Sequence, residues 1–233
     1  MLREAERLGD NMACEYCNDT GERIYRDKDG RTCCCVCNMC STWRDGRIAT
    51  LKSAACLPNK GDFNLVSRAH DYVEGFTQIE KDNQNWLMFA GRPGTGKTTQ
   101  ASILGREIIE RYLRRVRFFN AFDFTRALIA SKRRQSDYDV IMGRFLNADV
   151  AILDDLLKIV PSKKSFEFEE FHSVLLEALW GRYDSGRPTI ITTQVDFNVF
   201  NDFDSAFASR FIEKCRKEFI IKFNEQSRNW RVE

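Results

Sequence analysis

The stretch from Trp86 to Thr98 reads WLMFAGRPGTGKT, and it decides the fold. Its first part, through Ala90, is an apolar run of the kind that forms a buried β-strand. The part from Gly91 to Thr98 matches the Walker A pattern, a glycine-rich loop between a strand and a helix. Glycines let backbone N–H groups surround phosphate oxygens, and the following helix N-terminus favours an anion. The stretch therefore predicts a site for nucleotide phosphates.

Two side chains of this loop have expected roles. Lys97 should contact the β and γ phosphates of ATP, and the Thr98 hydroxyl should ligate Mg²⁺. An ordinary glycine-rich turn that happens to carry a lysine is the alternative, and the flanking strand and helix patterns argue against it. The residues predicted to bind ATP are Gly91, Arg92, Pro93, Gly94, Thr95, Gly96, Lys97, Thr98 and Thr99, with Asp154 further along the chain.

Apolar periodicity after this loop alternates between helical and extended patterns. Strands are predicted at 86–90, 116–119, 150–153, 189–192 and 219–223, and helices near 97–114, 122–130, 138–146, 166–183 and 205–217. Strands that alternate with helices form a parallel sheet with helices on both faces. The predicted fold class is α/β, a P-loop NTPase with a five-stranded parallel sheet.

A second acidic motif follows the third predicted strand, where the sequence 150–155 reads VAILDD. Ligands collect at the carboxyl ends of strands in open α/β sheets, so this segment resembles a Walker B motif. Asp154 is placed to hold Mg²⁺, and Asp155 is the candidate base for the attacking water, with a surface acid as the alternative. Gln194, after the next strand, is a candidate to position that water from the other side.

One arginine on a later helix completes the predicted catalytic set. Arg210 follows Ser209, and an arginine so placed can stabilise transition-state charge at the site of a neighbouring subunit. A plain surface arginine is the alternative. The predicted catalytic residues are Lys97, Asp154, Asp155, Gln194 and Arg210.

Several finer motifs accompany the two Walker segments: Arg182-Tyr183, the stretch 187–193 (RPTIITT), Ala208-Ser-Arg-Phe211 and the terminal Ser227-Arg-Asn-Trp-Arg231. Together they make residues 60–233 resemble the AAA+ ATPases (ASCE class) of the DnaC/DnaI helicase-loader group, which includes the IstB-like ATP-binding partners of transposases. The resemblance implies no separate lid domain, a ring or spiral homo-oligomer with Arg210 acting in trans, and a replicative DNA helicase and single-stranded DNA as partners. Gln194 stands where the group usually has Asn, and Asp155 where many AAA+ proteins have Glu, so hydrolysis is expected to be slow.

Nine cysteines are present, and seven lie between Cys14 and Cys40. Cys14-x2-Cys17 and Cys37-x2-Cys40 are separated by nineteen residues, a spacing typical of tetrahedral zinc sites. The intervening segment predicts a hairpin, and hence a zinc ribbon. Cys33 and Cys35 remain alternative ligands, and reduced or redox-active thiols remain an alternative to Zn²⁺. We predict a zinc module and linker at 1–60 and an ATPase domain at 61–233.

Composition limits the remaining choices. A net charge of +2 gives no general attraction to nucleic acid, and no apolar run approaches the roughly 20 residues that cross a bilayer. The N-terminus lacks the apolar stretch of a secretory signal, so a cytoplasmic protein without a membrane partner is expected. The cations Lys132, Arg133, Arg134, Lys158, Lys163 and Lys164 are candidates for DNA phosphate contacts or for a solvated surface. Stacking on bases is an alternative for Phe166, Phe168 and Phe171, whose helical spacing favours core positions.

These patterns favour an ATP-dependent helicase loader and leave three other functions open. A transposase could replace the helicase as partner, although the zinc ribbon argues against it. A small-molecule P-loop kinase would need a lid and an acceptor pocket, and the tandem Asp154-Asp155 favours water as acceptor. A noncatalytic adaptor, organised by zinc and bound ATP, is the third alternative.

Overall fold

The computed structural model describes residues 22–26, 32–36, 63–223 and Ser227, with side chains from 67 onward. The chain divides into two compact units, Met1–Thr50 and Leu51–Glu233. In the first unit β1 (Glu22–Arg26) and β2 (Thr32–Val36) form an antiparallel pair, with Glu22 opposite Val36. This confirms the predicted hairpin between the two cysteine pairs. The predicted division at residue 60 remains a prediction.

The second unit alternates helices with strands. Its elements are α1 (Phe63–Glu74), α2 (Phe76–Ile79), β3 (Trp86–Gly91), α3 (Lys97–Tyr112), β4 (Val116–Asn120), α4 (Ala121–Ser131), α5 (Gln135–Leu146), β5 (Val150–Leu156), α6 (Phe166–Asp184), β6 (Thr189–Thr193), α7 (Phe197–Phe203), α8 (Ser205–Lys214) and β7 (Cys215–Phe223).

The five strands from β3 to β7 form one sheet in the order β4-β5-β6-β3-β7, and every neighbouring pair is parallel. The predicted five-stranded parallel sheet is therefore confirmed. Strand β6 lies between β3, which leads into the glycine-rich loop, and β5, which carries the two aspartates. Because all the strands run the same way, the polar residues that follow β3, β5 and β6 meet at one edge of the sheet.

Helices cover both faces of this sheet. The main apolar cluster joins Trp86 and Met88 of β3 to residues of α4 through α8, including Phe145, Phe171 and Phe211. Leu87 and Phe89 are fully buried but lie outside this cluster, on the opposite face of β3. On that face α1 packs against α3 and β7, and α3 packs against β5 and β6.

Two sequence-based expectations about this unit are wrong, and one helix was not predicted. The predicted last helix, 205–217, ends at Lys214, and β7 begins at Cys215 because this residue pairs with Trp86 on β3. The short helix α7 was not predicted. Phe166, predicted to lie in the core with Phe168 and Phe171, is 88% exposed, since it is the first residue of α6 and points away from the cluster that buries the other two.

One buried cation holds the start of β6 in place. The Arg182 guanidinium is fully buried and donates to the carbonyl oxygens of Phe145, Leu146, Ala148 and Pro188 and to the hydroxyl of Thr189. Burial lowers the pKa of Arg182 to about 9, which leaves the group protonated at neutral pH. The Arg182 side chain thus joins the end of α5 to β6. None of the described helices is long and apolar enough to span a membrane.

Candidate nucleotide-binding site

The glycine-rich loop connects the end of β3 to the start of α3. Gly91, Gly94 and Gly96 have φ angles of 137°, 85° and 89°, a region that side-chain-bearing residues rarely adopt. A Cβ atom at Gly91 would also lie 2.3 Å from the carbonyl oxygen of Phe223 at the end of β7. Glycine is therefore required at these positions by conformation, and at Gly91 also by the close approach of β7.

Lys97 is the first residue of α3, and its ammonium lies inside the loop. Its Nζ donates to the carbonyl oxygens of Gly91 and Arg92, both at 2.6 Å, and lies 3.5 Å from Oγ1 of Thr95. Lys97 is 5% exposed. The positive charge is thus held where the loop would enclose phosphate oxygens, and its partners in this conformation include loop carbonyls.

Asp154, on β5, accepts two hydrogen bonds on one carboxylate oxygen. The hydroxyls of Thr98, on α3, and Thr192, on β6, each donate to Oδ1 at 2.7 Å. Asp154 is 2% exposed and therefore has little contact with water. The two hydroxyls supply hydrogen bonds that water would give to an exposed carboxylate. The contact brings the two predicted Mg²⁺ ligands, Thr98 and Asp154, together.

Asp155, the next residue, has a left-handed backbone conformation with φ of 57°. Its N–H donates to the Thr192 hydroxyl at 2.9 Å, and the register between β5 and β6 shifts between Leu153 and Leu156. Its carboxylate accepts from Nε2 of Gln194 at 2.8 Å on Oδ1 and pairs with Nζ of Lys158 at 2.8 Å on Oδ2. The local bulge therefore turns Asp155 away from the regular strand and towards Gln194 and Lys158.

The donor set fits Mg²⁺ and a nucleotide triphosphate. Mg²⁺ prefers hard oxygen ligands and keeps several waters, and Asp154 and Thr98 offer a carboxylate and a hydroxyl within hydrogen-bond distance of each other. The backbone N–H groups at the start of α3 and the Lys97 ammonium suit the phosphates. Gln194 and Asp155 stand beside this group from the ends of β6 and β5.

Comparison with known proteins shows the family to which this chain belongs. A family model described as IstB-like ATP binding protein matches residues 37–223. The chain belongs to this family. The Phage-like element PBSX protein XkdC of Bacillus subtilis (strain 168) is 23% identical to this IstB-like protein over 94% of the chain and 85% of its own length.

Solved structures similar to this IstB-like protein establish the fold. The DnaC helicase loader superimposes with a TM-score of 0.57 at 22% identity over 76% of this chain and 97% of that chain. The replication initiator DnaA bound to AMPPCP and single-stranded DNA has a TM-score of 0.56 at 18% identity over 75% of this chain. This chain spans about half of that DnaA chain, 49%. The second unit is a P-loop AAA+ fold.

Arg210 of this IstB-like protein lies outside the Asp154 and Asp155 hydrogen-bond network. It is an exposed residue of α8, and its guanidinium carbon is 4.4 Å from the centroid of the Trp180 ring and 5.6 Å from that of Tyr183. The structure thus brings together Lys97, Thr98, Asp154, Asp155 and Gln194 but not Arg210. Of the remaining loop residues, Arg92 and Pro93 are exposed, Thr95 is buried and Thr99 is half-buried.

The predicted zinc ligands Cys14, Cys17, Cys37 and Cys40 lie outside the described residues. Cys33 and Cys35, the alternatives, belong to β2, where they pair with Tyr25 and Arg23. Among the residues that the structure describes, no group of three or more His, Cys, Asp or Glu side chains is arranged to hold a metal ion. The zinc module therefore remains a prediction.

Sequence reasoning missed the roles of Thr192 and Lys158. Thr192 contacts both aspartates of the VAILDD segment, and Lys158 forms an ion pair with the second of them. Thr192 is one of three threonines in a fully buried strand, which is a usable signal because buried hydroxyls require partners. Lys158 gave no such signal, since its contact depends on the irregular backbone after Leu153.

Proposed function

We propose that this IstB-like protein is a Mg²⁺-dependent ATPase that loads a replicative DNA helicase onto single-stranded DNA. The observation that carries the enzymatic part is the meeting of Thr98, Asp154 and Asp155 beside the Lys97 loop. The loader part is supported by the fold similarity to the DnaC helicase loader.

The residues at the carboxyl ends of the strands have separate roles in the proposed hydrolysis. On ATP binding Lys97 would exchange the loop carbonyls for β- and γ-phosphate oxygens, while Thr98 and Asp154 would hold Mg²⁺, which neutralises developing charge. The oxygen of a water attacks the γ phosphorus as the bond to the β–γ bridging oxygen breaks, which leaves ADP and phosphate. The water's proton passes towards the Asp155 carboxylate, and Gln194 orients that carboxylate.

The position of Arg210 supports an assembled enzyme. It is exposed on α8 and stacked on Trp180, so in this proposal it reaches the ATP of a neighbouring copy of the chain and stabilises charge there. ATP would then lie between subunits of a ring or spiral homo-oligomer. In the same proposal the segment 1–60, with zinc held by cysteines, docks on the helicase, and 61–233 forms the ATPase domain.

A second candidate partner is a transposase, because the matching family is named for IstB-like ATP-binding proteins. The two candidate partners predict different responses of the ATPase to DNA. A loader should respond to single strands, whereas the partner of a transposase should assemble on duplex DNA. The same ATPase assay with the two kinds of DNA separates them.

The proposed function is tested by Mg²⁺-dependent ATP turnover of the purified full chain, alone and with a single-stranded or a duplex oligonucleotide. Lys97→Ala should abolish turnover, because the charge that meets the phosphates is lost. Lys81→Met is the matched control, since Lys81 is exposed and precedes β3 at the opposite edge of the sheet. Turnover that survives Lys97→Ala would contradict the proposal, and stimulation by duplex alone would favour the transposase partner.

A further inference from the structure

The loop between β5 and α6 (157–165) begins directly after the proposed catalytic residues. It carries three exposed lysines, Lys158, Lys163 and Lys164. It ends at Phe166, whose 88% exposure is the highest among the large apolar residues of the described chain. The acidic residues Glu167 and Glu169 follow on α6, so the positive charge is confined to the loop itself.

Lys158 links this loop to the proposed base. Its Nζ lies 2.8 Å from Oδ2 of Asp155, and the other oxygen accepts from Gln194 at 2.8 Å. Both carboxylate oxygens are therefore engaged, one of them by a full positive charge. A water molecule must therefore compete with the Lys158 ammonium for a place at Oδ2 before it can donate a hydrogen bond there. The Lys158 side chain is 38% exposed, so a ligand at the surface can reach it.

We propose that the β5–α6 loop binds a single strand of nucleic acid and that Lys158 couples this binding to hydrolysis. A base stacks on Phe166, and Lys158 moves from Asp155 to a backbone phosphate. The Asp155 carboxylate then keeps Gln194 as its partner, and its Oδ2 is open to a hydrogen bond from the attacking water. This inference rests on the proposed ATPase activity of Asp155.

A single strand fits this surface better than a duplex or a polypeptide. A largely exposed phenylalanine that follows a lysine-rich loop suits unstacked bases, since every base has a flat face that can cover the ring. Phosphates are the natural partners of several lysines in one loop. A duplex hides its base faces, and a polypeptide offers no regular row of anions.

The coupling is tested by ATP turnover with and without a thymidine oligonucleotide of about 30 nucleotides, long enough to span several sites of this kind. Lys158→Met keeps the aliphatic stem and removes the charge, so turnover without DNA should rise at least about threefold, and stimulation by DNA should disappear. Lys158→Arg should retain low DNA-free turnover and the response to DNA. Lys81→Met serves as the matched lysine control and should behave as wild type.

Binding is tested separately by fluorescence anisotropy of the labelled oligonucleotide, which does not require hydrolysis. Phe166→Ala should weaken binding about tenfold through loss of one stacked base, while Val140→Ala, which truncates an exposed apolar residue of α5, should leave it unchanged. Thermal unfolding of each variant establishes that it is folded.

The two assays distinguish the possible failures. Hydrolysis that requires Lys97 but is no faster in Lys158→Met than in wild type would overturn the coupling alone. Oligonucleotide binding that is unchanged in Phe166→Ala would contradict the proposed stacking of a base on this residue. Absence of any Lys97-dependent turnover would contradict the proposed function itself.

Discussion

Thr192 and Asp154 are joined by a buried hydrogen bond of 2.7 Å, from the threonine hydroxyl to Oδ1 of the carboxylate. The same hydroxyl accepts the N–H of Asp155 at 2.9 Å. One side chain on β6 therefore holds the proposed Mg²⁺ ligand and fixes the left-handed backbone of the proposed base. Thr192 acts on the reaction through these two residues, as a positioning residue.

Replacement of Thr192 by Val keeps the shape of the side chain and removes the hydroxyl. Turnover at saturating ATP should fall about 10- to 100-fold, and the Mg²⁺ concentration for half-maximal turnover should rise about tenfold, the range typical for residues that orient metal ligands. Thr192→Ser, which keeps the hydroxyl, should restore most of the turnover. Equal losses in Val and Ser variants would show that packing, and not the hydroxyl, matters at this position.

Trp180 should position Arg210. Its ring lies 4.4 Å from the guanidinium carbon, and a stacked aromatic limits the directions that an exposed arginine can take. Trp180→Leu should reduce turnover about tenfold with little change in the KM for ATP, whereas Trp180→Phe should be nearer to wild type, because it preserves a stacking surface. A Leu variant with wild-type turnover would show that Trp180 does not position Arg210.

Arg182 should be a structural residue. Arg182→Met leaves several buried carbonyl oxygens without a donor, so the free energy of unfolding should fall by about 3 kcal/mol or more. Urea unfolding of the full chain measures the change. Arg134→Met, at an exposed pair with Asp137, is the control and should change the free energy of unfolding by less than about 0.5 kcal/mol.

Asp149 should make stability depend on pH at the acid end. Burial alone would raise its pKa, but hydrogen bonds from the side chain and the N–H of Arg115 outweigh burial and hold the pKa below its usual value. A pKa lower in the folded state stabilises the fold above the unfolded pKa of about 4, and this contribution is lost as pH falls through the folded value.

The measurement for Asp149 is the free energy of unfolding of wild type and Asp149→Asn between pH 7 and pH 3. The variant should be less stable by about 1–3 kcal/mol at pH 7, because a charged hydrogen-bond acceptor is lost. The difference should narrow below about pH 4, where the wild-type carboxylate is itself protonated. A difference that stays constant with pH would mean that the Asp149 charge is not responsible.

The local parts of this fold could be predicted from the sequence. The strand, the glycine-rich loop and the helix that carry Lys97 and Thr98 are contiguous, so their pattern is complete within thirteen residues. Asp154 could be predicted in the same way, because an apolar segment that ends in acidic residues indicates the carboxyl end of a strand in an α/β sheet.

The remaining features of the fold and of the site depend on contacts between segments that are distant in the sequence. Cys215 begins β7 only because β3 lies beside it, and the polar residues after it carry no apolar alternation. Thr192 could be seen as polar, but its bonds to both aspartates follow from the register of β5 against β6. Phe166 shares its helix with buried phenylalanines, and its exposure is set by its place at the start of α6.

ATP is proposed to be hydrolysed between copies of this IstB-like protein, and one mixing experiment tests this most directly. Lys97→Ala lacks the phosphate-binding lysine, and Arg210→Ala lacks the arginine supplied to the neighbouring site. Each variant alone should show almost no turnover, and an equimolar mixture should recover about a quarter of wild-type turnover, since random assembly leaves that share of interfaces with both groups. A mixture as inactive as its components, or an Arg210→Ala variant as active as wild type, would contradict the account.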